Sequence, residues 1–333
     1  MNINNFPMVS VIIPVFNGAT YIRSAVQSVL DQTFKDFEIL VVDDGSTDGT
    51  FMLLEPWIKN RTIRYAHQNN RGAALARNAG LSLAQGTFLK FLDADDFIYP
   101  QLLEQQVNHL KDKSRLIISV ANYELEFESN NRKTIKLGAY KGSQLARFIQ
   151  GNIAPIHAML VSRSLVEEIK GFNPDLACCE DTDLWLKALL CQGVFEIIDY
   201  VGCCYRILNK SVSSDPDKMF RAKCKVFENL NQTLLTSLDR MPQDVLQELL
   251  VFNTKLTHMC FVNNIDPDSF IPMTMKASRI IYGLKMTGLK KFLSRVMGIK
   301  NINLLKYFNA AIKDPNYAKT LINIDWRDEK NHL

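Results

Sequence analysis

In the N-terminal third of the chain, apolar runs of strand length alternate with segments whose apolar positions recur every three or four residues. Val9-Ser10-Val11-Ile12-Ile13-Pro14-Val15 is apolar and largely β-branched, the pattern of a strand covered on both faces. Asn17-Gly18 marks a turn, and Ile22, Ala25, Val26, Val29 and Leu30 then share one face of a predicted helix. Phe37 to Val42 predicts a second buried strand, followed by a helix through Leu53 and Trp57 that kinks or ends near Pro56. Ile63 to Ala66 predicts a short third strand, Ala73 to Ala84 a helix, and Thr87 to Leu92 a fourth strand. This beat implies right-handed βαβ crossovers and a parallel sheet, with a ligand crevice beyond the carboxyl ends of its strands.

Beyond residue 115 the pattern is mixed. Leu116–Val120 reads as a strand, and Tyr123–Phe127 with Thr134–Leu137 as a hairpin around the polar Glu128–Lys133 turn. His157–Val161 predicts a strand, Gly171-Phe172-Asn173-Pro174 a break, and Asp183–Leu190 a helix. Phe195–Tyr200 and Cys203–Ile207 read as closing strands, and from about Asp215 the chain reads as helices.

Three polar clusters fall at strand ends: Pro14–Asn17, Asp43–Asp48 and Asp93–Asp96. The last follows the run Phe88-Leu89-Lys90-Phe91-Leu92. Strand alternation puts Asp93 and Asp95 on one side, where two like charges repel unless a cation lies between them. A hard divalent ion, Mg2+ or Mn2+, takes oxygen ligands and keeps room for phosphates and water. Capping of the next helix by Asp95 or Asp96 is the other reading of these residues. Gly45 and Gly49 suit a tight turn, but no GxGxxG or Walker loop is present, which disfavours those nucleotide folds.

Composition adds limits. With 333 residues, 47% hydrophobic and 22% charged, the chain fits an ordinary globular protein of one large domain and a smaller one. Seven cysteines include no CxxC pair, and Cys178-Cys179 and Cys203-Cys204 are adjacent couples, which favours a reducing compartment. The opening MNINNFPMVS lacks the basic and apolar segments of a secretion signal, and no stretch reaches the ~18 apolar residues of a membrane span. These features set the expectation of a cytoplasmic protein, either soluble or peripheral on the inner face of the cell membrane.

Several ordered motifs resemble those of the inverting family 2 glycosyltransferases. VSVIIPVFNGATYIRSAVQSVLDQTFKDFEILVVDDGSTDGT is similar to their nucleotide-binding signature, and RGAALARNAGLSLAQGTFLKFLDADD to the segment leading into their DxD motif. GFNPDLACCEDTDLWLKAL is similar to the acceptor-side segment carrying their ED pair. The resemblance covers residues 8–214 and implies an α/β GT-A fold, Rossmann-like, with a mostly parallel central sheet flanked by helices. It places a catalytic domain at 1–214, with a nucleotide-sugar half to about 115 and an acceptor half over 116–214, and a helical extension at 215–333.

The implied reaction moves a sugar from a nucleoside diphosphate, UDP above all, to an acceptor hydroxyl with inversion. It requires recognition of the base, neutralisation of the diphosphate and a general base. On this resemblance Pro14, Phe16 and Asn17 form the base-binding loop, with Phe16 stacking, and Asp44 hydrogen-bonds the base. Asp43 and Asp48 are expected to do loop and cap work. Arg71 and Arg77 supply positive charge near the nucleotide, with a plain surface arginine as the alternative for Arg77. Asp95 meets the metal, Asp93 the metal or ribose, and Asp96 supports them or caps the next helix. Asp181 is the candidate base, although its place before a helix is also that of an N-cap, and Glu180 orients the acceptor. Arg206 is placed to reach the diphosphate, but the family's Tyr-Arg-x-His run reads Tyr205-Arg206-Ile207-Leu208 here, so a frequent metal or phosphate ligand is replaced by Leu208. The QxxRW motif of processive synthases is also absent, which favours single addition.

Between Phe270 and Lys313 stand nine basic residues (Lys276, Arg279, Lys285, Lys290, Lys291, Arg295, Lys300, Lys306 and Lys313) and no acidic one, interleaved with apolar side chains. This is the pattern of an anionic membrane surface element or of a helical accessory domain with a solvated or partner-binding face. No nucleic-acid motif accompanies it. The expected partners are a nucleotide-sugar donor and a saccharide or lipid-linked acceptor of a bacterial surface polysaccharide or glycolipid, with self-association left open. Two rival readings are a catalytically weakened sugar-nucleotide or carbohydrate binder and a nucleotidyltransferase. The latter calls for a glycine-rich basic phosphate loop after the first strand, which VIIPVFNGATYI does not provide.

Overall fold

The computed structural model describes residues 6–262, apart from 128, 130, 139–142, 152 and 210–214. The basic stretch at 270–313 and Ser211–Ser214 therefore lie outside the described residues.

The chain divides into two compact units, one of residues 1–139 with 152–222, the other of residues 140–151 with 223–333. The first opens with the expected βαβ beat: β1 Val9–Val15, α1 Ile22–Leu30, β2 Phe37–Asp43, α2 Thr50–Lys59, β3 Arg64–His67, α3 Ala73–Leu83 and β4 Phe88–Phe91. β5 Phe97–Ile98, α4 Leu102–Leu110, β6 Ile117–Phe127 and β7 Arg132–Ile135 follow. α5 Gln144–Gln150 belongs to the second unit; β8 Met159–Ser162, α6 Arg163–Glu168, α7 Glu180–Leu190 and β9 Val194–Ile207 return to the first.

Among the described residues, nine strands form one sheet in the order β3-β2-β1-β4-β8-β6-β9-β5, with β7 paired to β6. β3, β2, β1 and β4 are mutually parallel, as the alternating pattern implies. The sheet as a whole is mixed, because β8 runs antiparallel to β4 and β6, and β5 antiparallel to β9. The predicted hairpin is β6 with β7, but the two strands expected on either side of residue 121 are one long β6. The two expected closing strands likewise merge into β9, which pairs in parallel with β6 through a bulge at Ala121–Tyr123. Length patterns alone split these strands because the bulge breaks their alternation.

Burial explains the continuous apolar runs. Val11, Ile12 and Ile13 of β1 are fully buried, as are Val9 and the α1 stripe Ile22, Ala25, Val26 and Val29. α3 crosses β1 so closely that a Cβ on Gly80 would lie 2.4 Å from Ile12 Cγ2. Buried Gln106 of α4 accepts from Lys90 Nζ at 2.7 Å and donates to the Ser119 and Ala158 carbonyls, tying β4, β6 and the turn before β8 together. Cys178, Cys191, Cys203 and Cys204 are thiols outside any disulfide.

In the second unit α5 packs against α9 Gln243–Val262, and the Ser143 N–H donates to Asp244 at 2.7 Å. Asn231, on α8 Pro216–Leu234, and Asn253 exchange two side-chain amide bonds of 2.9 Å in full burial. Among the described residues no helix is long and apolar enough to cross a membrane.

Candidate active site

The carboxyl ends of β1, β2 and β4 lie side by side in the parallel half of the sheet, and their loops carry the three polar clusters. After β1, Phe16 is 52% exposed and Asn17 adopts the left-handed conformation (φ 51°). Asn17 N–H donates to Ser46 Oγ at 2.9 Å, and its side-chain oxygen accepts from Thr47 N–H at 2.8 Å. The β1 loop is thereby clamped to the β2 loop. Asp48 completes the clamp, accepting from Ala19 N–H and Thr50 N–H. Partial burial pushes its pKa up, but the Thr50 hydroxyl and those amides outweigh this and hold it below the usual range.

Asp43 accepts from Ser46 N–H and the Tyr65 hydroxyl, so its work is within the loop, as expected. Asp44 is buried and accepts three bonds: Gln68 at 2.6 Å, Arg71 N–H at 2.9 Å and Gly72 N–H at 2.7 Å. It thus fixes the turn that launches α3, with Gly72 in a left-handed conformation (φ 92°) that suits glycine. Both oxygens already have donors, so a bound base would share them. Arg71 itself is exposed at the start of that turn.

A second group forms around Asp93. Arg77 is buried on α3 and is no surface arginine: its guanidinium donates to Asp93 Oδ1 at 2.5 Å and to Glu180 Oε1, and lies 5.5 Å from the Phe172 ring. One side chain thus joins the DxD segment to the ED pair, which are far apart in sequence. Both carboxylates it meets belong to the segments expected to form the site. Glu180 and Asp181 occupy the first turn of α7, where the helix dipole favours carboxylates. The N-cap is Cys179, so the capping reading of Asp181 fails. Asp181 lies deep but keeps an accessible edge, and burial, then the Glu180 charge, push its pKa up to about 6.

Asp95 and Asp96 cap nothing either, since α4 begins at Leu102 after Gln101. Asp95 is half-buried, and burial followed by repulsion from Asp93 raises its pKa to about 6. Asp96 is fully buried, accepts the Arg206 N–H at 2.7 Å and is pushed well above the usual carboxylate range, chiefly by burial. Arg206 donates to the Asp95 carbonyl at 2.6 Å and to Glu126 at 3.0 Å, with Phe97 and Tyr21 rings 4.7 and 5.3 Å away. It holds the acidic loop in place from behind. The sequence reading missed two members of this neighbourhood, Glu126 and the buried His157 beside Asp96; a lone polar residue in the apolar run before β8 was the only signal for the latter.

Among the described residues, Asp93, Asp95, Asp96 and Glu180 cluster around two guanidiniums, Arg77 and Arg206. Such a surplus in partial burial fits a divalent cation held by oxygen ligands.

The glycosyltransferase TuaG of Bacillus subtilis, whose name assigns it to teichuronic acid biosynthesis, is 31% identical to this chain over 232 residues, 68% of this chain and 89% of TuaG. The chain belongs to glycosyl transferase family 2. The model of that family matches residues 10–170. An uncharacterized glycosyltransferase of Rickettsia felis is 33% identical over 179 residues, 54% of this chain but only 30% of that protein, so the chain spans about a third of that longer relative. In fold, S. aureus TarS 1-349 in complex with UDP-GlcNAc is similar with a TM-score of 0.63 at 18% identity, covering 92% of this chain and 91% of that one. The mixed sheet with flanking helices is that of a GT-A glycosyltransferase.

Proposed function

We propose that this family 2 glycosyltransferase transfers one sugar, with inversion, from a UDP-sugar to an acceptor hydroxyl during assembly of a bacterial surface polysaccharide or glycolipid. The observation that carries the reading is the Arg77 bridge, which joins Asp93 of the DxD segment to Glu180, the neighbour of Asp181 on α7. The UDP-GlcNAc bound by TarS and the polysaccharide pathway in the name of TuaG support the choice of donor and setting.

In this reading exposed Phe16 stacks on the base between Pro14 and Asn17, and Asp44 accepts from the base edge while keeping the α3 turn closed. Asp93 and Asp95 hold Mn2+ or Mg2+, which when bound offsets the charge of the diphosphate leaving group. Arg71, exposed at the mouth of the α3 turn, adds positive charge to the same leaving group. Asp181 removes the acceptor proton; a pKa of about 6 leaves it ionised at neutral pH yet basic enough to accept that proton. Glu180, anchored by Arg77, keeps the first turn of α7 in place beside it. Arg206 acts on the site through the Asp95 backbone rather than by direct reach to the diphosphate. The basic 270–313 stretch is assigned to an anionic membrane surface, which would bring the catalytic unit to a lipid-linked acceptor.

The test is a panel of nucleotide-sugars scored for thermal stabilisation and hydrolysis in Mn2+ and Mg2+, followed by transfer to saccharide and lipid-linked acceptors. UDP-sugars should stabilise most and be hydrolysed slowly. Binding of no nucleoside diphosphate would overturn the reading. Co-sedimentation with anionic liposomes at low salt tests the membrane assignment separately.

A further inference from the structure

Behind Asp93 lies an imidazole that the reaction above does not use. His157 sits in the tight turn Ile156–Ala158 before β8, fully buried, and among the described residues neither ring nitrogen has a hydrogen-bond partner. Its Nδ1 lies 3.2 Å from Oδ2 of Asp96, an oxygen that is also buried and also lacks a hydrogen bond. No hydrogen bond joins the two atoms at that separation. Two ligand atoms about 3 Å apart fit neighbouring positions on one ion at a bond length near 2.1 Å. Asp93 supplies a third ligand atom, and the three lie within 4.8 Å of one another. The Asp96 and Asp93 carboxylates are each fixed through one oxygen, by Arg206 N–H and by Arg77, so their orientation is set before any ion arrives.

We propose that Asp93, Asp96 and His157 form a cation site of their own, which binds a transition-metal divalent ion in the absence of nucleotide. Two carboxylates and an imidazole suit Mn2+ or Zn2+ better than Mg2+, which prefers an all-oxygen shell. The site shares Asp93 with the diphosphate site but does not depend on transfer.

The experiment uses the full chain stripped with a chelator and given Mn2+ alone, with bound Mn2+ counted by electron paramagnetic resonance and its ligands read by electron spin echo modulation. The expected result is one tightly held Mn2+ with the modulation of a directly bound imidazole nitrogen, retained in excess Mg2+. His157→Gln should lose that modulation and weaken Mn2+ about tenfold or more. If that variant does not fold, Asp93→Asn, altered at a partly exposed side chain, should weaken Mn2+ by a similar factor while keeping the nitrogen signal. Mn2+ that binds only with UDP, or without nitrogen modulation, or that Mg2+ displaces readily, would overturn the site. Any of those three outcomes would leave the glycosyltransferase reading intact, because that rests on nucleotide binding and transfer.

Discussion

The loop after β2 and the loop after β4 both end parallel strands in clustered aspartates, yet they treat the same side chain in opposite ways. In the first, Asp43, Asp44 and Asp48 accept backbone N–H groups from turns that wrap around them, and Asp48 stays below the usual carboxylate range. In the second, Asp95 and Asp96 find few donors, sit among other carboxylates and rise above it. A carboxylate surrounded by N–H groups stabilises its loop, whereas one surrounded by carboxylates and buried is costly until a cation arrives. The first cluster fastens its loops, and the second has the electrostatics that suit a cation. Asp44 stands apart as a buried carboxylate fastened by three donors.

This contrast can be broken at several points. The largest effect is expected at Asp181: Asp181→Asn should lower kcat about 10^3-fold with nucleotide affinity little changed, measured by initial rates and calorimetry. Because the base must be ionised, wild-type kcat/KM should fall tenfold per pH unit below about 6 and level off above it. Next is Arg77→Met, which strands Asp93 and Glu180 without their shared partner and should cost about 3–5 kcal/mol in urea unfolding. An unchanged midpoint would show that the bridge does not hold the two motifs together. The smallest effect is expected at the fastening itself: Asp48→Asn should cost about 1 kcal/mol and raise the KM for the donor only modestly, through a looser β1 loop.

The parallel half of the fold was legible because strands buried on both faces must be apolar, and Val11–Ile13 and Ile39–Val42 obey that rule. The acceptor half was less so. The β6–β9 bulge breaks alternation, and the reversal at β8 leaves no mark in a four-residue strand. The aspartates of the site were visible as residues, but their partners were not. Arg77 meets Glu180 across 103 positions, and nothing local distinguishes it from an arginine on a solvent-facing helix. Arg206 likewise carries no local sign of its partners; the fold shows its guanidinium donating to the Asp95 carbonyl and to Glu126.

The contrast between the two loops is tested most directly by the sign of a stability change in ligand-free protein. At pH 8 with chelator present, Asp95→Asn removes a carboxylate whose pKa is raised to about 6 in the fold. A group with a raised pKa costs stability above that pKa and nothing below its ordinary value near 3.8, so the substitution should raise the unfolding free energy by on the order of 1–3 kcal/mol. Asp44→Asn, which replaces an acceptor of three donors, should lower it by about 1–3 kcal/mol. Opposite signs in the same unfolding assay, with the Asp95→Asn gain vanishing below about pH 4, are the predicted result. A loss of stability in both variants would contradict it.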